Sequence, residues 1–327
     1  MPDTVAVTFH VRPPERAVIA DALGAAAEAV FLAELDDADR LRALRDASAV
    51  LARDTGRDLR AGEAAHIQSA RLIQFITAGI DFVPLSALPA GVPVASNGGA
   101  YAEQMAEHGL AMVLAAAKRL LIEHAALARG EFNQQIRNRS LAGKVCGILA
   151  FGGIGVASAR LMRAMGMRIH AINRSGRSDE PVDWIGRLAD LDSLLMAADV
   201  LIVSTPLTPA TKGLIGAREL GLMKRDAILL NLARGEIIQE APLFAHLQAT
   251  PGFFACLDAW WVEPVRHGAF RVDHPFLSLP NVVGSPHNSA TVPGMTEVAL
   301  RRAMANIRRV LAGEAPRYVL GVEDRMS

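Results

Sequence analysis

Short apolar runs and helix-like stretches alternate along the whole chain. In the first hundred residues the runs are "VAVTFH" (5–10), "AVFLAEL" (29–35), "SAVLAR" (48–53), "LIQFIT" (72–77) and "PVAS" (93–96). A second series begins at "VCGILAF" (145–151). It continues with "RIHAIN" (168–173), "DVLIVS" (199–204), "AILLNL" (227–232), "FFACLD" (253–258) and "VVGS" (282–285). Short continuous apolar runs between helices predict parallel strands buried on both faces. The pattern predicts an α/β protein of two doubly wound parallel-sheet units.

Two long helical segments flank the second series. Residues 101–129, with "EQMAEHGLAMVLAAAKRLLIEHAALA", are apolar nearly all round and predict one helix, buried between domains or against another subunit. "MTEVALRRAMANIRRVLAG" (295–313) is amphipathic, with Leu300, Met304, Ile307 and Leu311 on one face and Gly313 suited to the stop. Together they predict an inserted domain. Residues 1–98 and 293–327 would form one domain, and 99–292 the other.

Composition narrows the function classes. The chain has 327 residues, 51% of them hydrophobic, and 34 Lys plus Arg balance 34 Asp plus Glu. That suits two domains with a sizeable core and offers no basic field for nucleic acid or membrane. Cys146 and Cys256 each sit in an apolar run and read as buried free thiols in a reducing compartment. No Cys or His spacing resembles a zinc site, and no signal-peptide pattern stands out. "LAMVLAAAKRLL" (110–121) is interrupted by Lys118 and Arg119, well short of a membrane span. The expectation is a soluble cytoplasmic protein without a nucleic-acid, membrane or metal partner.

The candidate chemistry begins at "GILAFGGIG" (147–155), which ends a strand and opens a helix. Gly152, Gly153, Ile154 and Gly155 suit a turn that holds a dinucleotide pyrophosphate at a helix N-terminus. The pattern G-x-G-x-x-G wants glycine at 150, where this chain has Ala150. A methyl is tolerated there if φ stays negative. "INRSGR" (172–177) ends the next strand, where an acidic residue would hold a ribose diol. Asn173 does not hold a diol strongly. The guanidiniums of Arg174 and Arg177 and the Ser175 hydroxyl suit a 2′-phosphate. NADP(H) is therefore expected as the preferred cofactor, with NAD(H) possible; the alternative is that both arginines are solvated loop residues.

Three further residues follow three consecutive strands: Arg234 in "NLARGEI", Glu263 in "CLDAWWVEP" and His287 in "GSPHNSA". Open parallel sheets bind ligands at these carboxyl ends.

Here the chain resembles the D-isomer-specific 2-hydroxyacid dehydrogenases, nearly end to end. The resemblance is carried by "LIQFITAGIDFV", "GVPVASNGGAYAEQMAEHGLAMVLA", "SLAGKVCGILAFGGIG", "TPLTPATKGLI", "LLNLARGEIIQEAPL", "LDAWWVEP" and "LPNVVGSPHNSA". It implies a Rossmann cofactor domain inserted in a flavodoxin-like substrate domain. It implies that Arg234 binds a substrate carboxylate, that His287 is the general acid/base, and that Glu263 hydrogen-bonds and tunes His287. The backbone N–H groups of Ala78 and Gly79 would hold the carboxylate's far side. Asp258 would contact the nicotinamide amide, and Thr205, Pro206, Leu232, Ala233 and Ala290 would make other cofactor contacts. The implied reaction reduces a small 2-keto acid, such as glyoxylate or hydroxypyruvate, to a D-2-hydroxy acid with NADPH, in a homodimer. Two other readings stand beside it: a dinucleotide-binding sensor or corepressor without turnover, and phosphite oxidation on the same scaffold. His108 and His124 read as structural, His267 and His274 as loop residues without a motif. Trp260 and Trp261 depart from the commoner residues after the aspartate and either line the pocket or fill core.

Overall fold

The computed structural model describes residues 2–321. The chain divides into two compact units. One comprises the chain up to Tyr101 together with the chain from Val292 onward; the other is Ala102–Thr291.

The first unit is a five-stranded parallel sheet of β1 (Asp3–Val7), β2 (Ala27–Phe31), β3 (Ala49–Ala52), β4 (Ile73–Phe75) and β5 (Val94–Ala95), in the order β2-β1-β3-β4-β5. This is the flavodoxin-like order. Val5 and Val7 pack into one core with Leu300, Met304 and Ile307 of the last helix, Met295–Leu311. Ala6 packs into the opposite core with Val50 and Ile73. Successive strand residues point to opposite faces, so a strand covered on both sides must be apolar throughout. Besides that last helix, the helices of this unit are α1 (Pro13–Leu23), α2 (Asp37–Asp46) and the short α3 (Thr55–Asp58). Asp36 starts α2 by accepting the Asp39 N–H. On the last helix Leu311 is only half-buried at the rim, and Gly313 is left-handed (φ +81°), one residue past the C-cap. Tyr318 and Leu320 pair with Ser96 and Val94 and cover the edge beyond β5.

The second unit is a seven-stranded parallel sheet of β6 (Val145–Leu149), β7 (Arg168–Ile172), β8 (Trp184–Gly186), β9 (Val200–Val203), β10 (Ile228–Asn231), β11 (Phe254–Leu257) and β12 (Val282–Gly284). Its order, β12-β11-β10-β9-β6-β7-β8, is the doubly wound dinucleotide-fold order, with the reversal between β6 and β9. Its helices are α4 (Ala102–Ala117), α5 (Leu120–Ala128), α6 (Gly153–Ala164), α7 (Leu191–Ala197), α8 (Ala217–Leu222), α9 (Glu240–Ala249) and α10 (Pro264–His267). Strand β8 had no counterpart among the apolar runs. It is a short edge strand, half-buried at Trp184 and Ile185, so nothing forces a continuous apolar run.

The single helix expected over 101–129 is two helices. Arg119 sits between them in the left-handed region (φ +53°). Its side chain turns to Glu123, and Lys118 donates to the Arg139 carbonyl at 2.7 Å. Helix α4 buries Met105, Met112 and Val113, and Gly109 lets it close on β10: a Cβ there would lie 2.9 Å from both Leu230 and Leu232. Helix α5 buries no residue; Leu120, Leu121 and Leu127 are 56%, 55% and 54% exposed. Cys146 and Cys256 are buried and unpaired, and burial pushes both thiols far up in pKa, which keeps them protonated. Among the described residues no helix is long and apolar enough to cross a membrane.

Candidate active site

The glycine turn occupies the switch point of the second unit. Gly152 is the N-cap of α6, and a Cβ built on it meets nothing within 4 Å. The backbone is therefore open to close approach by a ligand, next to the first-turn N–H groups of Gly153 and Ile154, where the N-cap makes no side-chain hydrogen bond. Gly155 is the packing glycine: a Cβ there would lie 2.5 Å from the Ala150 carbonyl oxygen and 3.0 Å from Ile148. Ala150 corrects the sequence reading, since its φ is +80°, in glycine's territory. The Ala150 and Phe151 N–H groups both donate to the Ile172 carbonyl, at 3.1 and 2.9 Å, and Ser204 Oγ donates to the Ala150 carbonyl at 3.0 Å. These bonds hold a conformation that costs an L-residue about 1–2 kcal/mol.

The loop after β7 is tied by Asn173. Its Oδ1 accepts the Gly176 N–H at 2.7 Å and Ser175 Oγ at 3.2 Å, while Nδ2 donates to the Arg177 carbonyl at 2.7 Å. Asn173 thus shapes the loop, and Arg174, Ser175 and Arg177 are exposed on it. Arg187, just past β8, adds a third guanidinium that the sequence reading missed. Its Nε and Nη2 both donate to the Ser175 carbonyl at 3.3 Å. Only the pairing of β7 with β8 brings it there.

The carboxyl ends of β10, β11 and β12 carry the titratable trio. Asn231 ends β10, fully buried; its Oδ1 accepts the Ala233 N–H and its Nδ2 donates to the Arg234 carbonyl, at 3.0 and 2.9 Å. That turn buries Leu232 and Ala233 and leaves Arg234 half-buried, its Nη1 donating to the Ala233 carbonyl. Glu263 is buried at the N-cap of α10. Both of its oxygens lie within hydrogen-bond distance of His287 Nδ1, at 2.9 and 2.7 Å. Burial raises the Glu263 pKa. The hydrogen bonds from His287 and the Trp260 amide, with the charges of His287 and Arg234, outweigh burial and hold the carboxyl below its ordinary value. His287 has φ +51°, a strained backbone of the kind that clusters at functional sites. With Nδ1 facing the carboxylate, Nε2 is the nitrogen left to exchange a proton.

Asp258 follows β11 and is fully buried. Its Oδ1 accepts from Ser285 Oγ at 2.6 Å and from the Asn288 N–H at 3.2 Å; its Oδ2 has no partner among the described residues. An orphaned buried carboxylate oxygen suits an amide N–H donor such as a nicotinamide carboxamide. Thr205 is buried and Pro206 exposed just past β9, and Ala290 is half-buried beyond His287. Ala78 and Gly79 belong to the first unit, half-buried in the loop after β4.

Two histidines do more than their sequence context suggested. His267 Nδ1 accepts the Glu263 N–H at 3.0 Å and so braces the acidic residue. His108 Nε2 lies 3.0 Å from Ser285 Oγ, joining the Asp258 network. The "AEH" motif was the available signal for His108; His267 had none.

Comparison with known proteins agrees with this geometry. Residues 110–289 match the family model described as D-isomer specific 2-hydroxyacid dehydrogenase, NAD binding domain. The glyoxylate/hydroxypyruvate reductase B of Enterobacter agglomerans is 32% identical over 260 residues, covering 78% of each chain. The D-3-phosphoglycerate dehydrogenase of Methanocaldococcus jannaschii is 30% identical over 250 residues, 75% of this chain and 46% of that protein, so the chain spans about half its length. A crystal structure of a glycerate dehydrogenase related protein from Thermoplasma acidophilum is 27% identical, with a TM-score of 0.65 over 94% of this chain and 99% of that one. With the switch-point glycine turn and the Arg234, Glu263 and His287 loops, these matches establish that the chain belongs to the D-isomer-specific 2-hydroxyacid dehydrogenase family.

Proposed function

We propose that this chain is a reductase of small 2-keto acids that prefers NADP(H) to NAD(H). Residues 1–98 and 293–327 would serve as the substrate domain, and 99–292 as the cofactor domain. Gly152, Gly153, Ile154 and Gly155 would hold the pyrophosphate, and Asn173, Arg174, Ser175 and Arg177 the adenosine end with its 2′-phosphate. Asp258 Oδ2 would accept from the carboxamide, with Thr205, Pro206, Leu232, Ala233 and Ala290 completing the site. The bound dinucleotide would supply the hydride. Arg234 would bind the substrate carboxylate and polarise the ketone, and the N–H groups of Ala78 and Gly79 would be further carboxylate donors. His287 Nε2 would give its proton to the carbonyl oxygen, and Glu263 would hold the imidazole through Nδ1.

The observation that carries this reading is the pairing of His287 with a buried, ionised Glu263, beside Arg234 at the same sheet edge. Glyoxylate and hydroxypyruvate are favoured because a relative that this chain matches over most of its length carries those names. A homodimer is supported by the exposed leucines of α5 and by Phe132, 74% exposed. The buried, unpaired thiols suit a reducing cytoplasm.

The test is steady-state kinetics with NADPH and NADH on glyoxylate and hydroxypyruvate, with Arg174→Ala beside the wild type. A higher kcat/KM with NADPH, lost in the variant, is the expected result. Equal or better use of NADH overturns the cofactor preference. Cofactor binding without turnover of any keto acid favours the sensor reading, and phosphite-dependent cofactor reduction favours phosphite oxidation.

A further inference from the structure

Trp260 occupies an unusual place in the second unit. Its backbone N–H donates to Glu263 Oε1 at 2.7 Å, and its indole Nε1–H donates to the Ser285 carbonyl at 2.8 Å, two residues before His287. Its own backbone presses on the loop that carries Arg234: a Cβ on Gly235 would lie 2.3 Å from the Trp260 carbonyl carbon. One buried residue therefore touches all three loops whose ends bear the trio.

The neighbouring contacts stiffen this junction. Trp261 Nε1–H donates to the Ile238 carbonyl at 2.7 Å, and its ring stacks on Phe276 at 5.0 Å. The Trp260 ring stands edge-on to Phe270 at 5.5 Å and lies close to Gly284, where a Cβ would be 3.0 Å from it. Arg266 pairs with Glu236 at 2.8 Å, binding α10 to the Arg234 loop.

We infer that Trp260 is a positioning residue that sets the placement of His287 relative to Glu263 and Arg234 by pinning the Ser285 carbonyl with its indole N–H. The inference rests on the reductase reading for its kinetic consequence, but not for its geometry. A phenylalanine at 260 fills much of the same space and keeps the backbone bond to Glu263. It has no N–H for Ser285, so the His287 loop loses its tether. His287 has a left-handed backbone, which persists only while its surroundings impose it. Misplacement of a reacting group by about 1 Å is enough to cost as much as a hundredfold in rate.

The experiment uses Trp260→Phe in the full chain. The deciding readout is the His287 Nδ1 proton in nitrogen-15 NMR, assigned by its loss in His287→Ala. The proposal expects that resonance to shift or broaden in Trp260→Phe. Kinetically, kcat should fall about tenfold or more, with KM changing less than about threefold. An unchanged His287 resonance overturns the proposal, whatever the rates. Should Trp260→Phe fail to fold, exchange of the wild-type Trp260 indole proton decides instead: slow exchange supports the tether, and exchange as fast as an open indole overturns it. Absence of turnover in the wild type counts against the reductase reading alone, because both NMR readouts need no substrate.

Discussion

Glu263 faces His287 Nδ1 with both carboxylate oxygens, at 2.9 and 2.7 Å, from a buried position that also receives the Trp260 amide. The carboxyl's folded pKa lies below its ordinary value of 4.5. A depressed carboxylate stabilises the fold above the unfolded pKa, and that contribution is lost as pH falls through the lower folded value. Urea unfolding of wild type and Glu263→Gln should show a stability gap of about 1–3 kcal/mol near neutral pH. The gap should shrink below about pH 4. A gap that widens on acidification would contradict an ionised Glu263. In the proposed reaction the same variant should lose about a hundredfold in kcat/KM.

Ala150 holds φ +80° in the turn before α6. Glycine adopts this conformation freely, but loses more entropy on folding. Ala150→Gly should therefore raise stability by up to about 1 kcal/mol, read as a higher melting temperature with unchanged cofactor affinity. Gly155→Ala should do the reverse, because its methyl would lie 2.5 Å from the Ala150 carbonyl oxygen. A loss of about 1–3 kcal/mol is expected, together with weaker dinucleotide binding by fluorescence titration.

Asn173 donates from Nδ2 to the Arg177 carbonyl and accepts the Gly176 N–H on Oδ1. Asn173→Asp keeps the second bond and loses the first, and it sets a negative charge beside Arg174 and Arg177. The NADPH-to-NADH ratio of dissociation constants should move towards NADH by about tenfold or more. A ratio that does not move would show that the 2′-phosphate lies elsewhere.

Leu127 and Phe132 are exposed apolar side chains at and beyond the end of α5. The double variant Leu127→Glu, Phe132→Glu should turn a dimer into a monomer in light scattering after size exclusion, without loss of the helical signal. A wild type that runs as a monomer at micromolar concentration would remove this surface from the proposal.

The legibility of the fold follows from burial. Strands β6, β9, β10 and β11 are buried at every residue, so each had to be written as an apolar run, and the order of runs and helices yields two α/β units. Arg234, Glu263 and His287 stood out as candidates because each follows an apolar run that forms a strand. Strand β8 and the guanidinium of Arg187 beyond it were not legible, because a half-buried edge strand imposes no pattern. The break at Arg119 was not legible either, since Lys118–Arg119 reads equally well as a polar patch on one continuous helix.

The sequence by itself determined the alternation of strands and helices, the glycine turn at the head of α6, and the strand ends where charged residues emerge. These depend on near neighbours in the chain and on which faces must be dry. Tertiary structure alone decided the left-handed backbone at Ala150 and His287 and the tether from Trp260 to Ser285. Backbone dihedrals of this kind are unfavourable locally, so they exist only where packing imposes them. Hydrogen bonds between loops depend on positions that the assembled sheet brings together, which no local pattern of residues encodes.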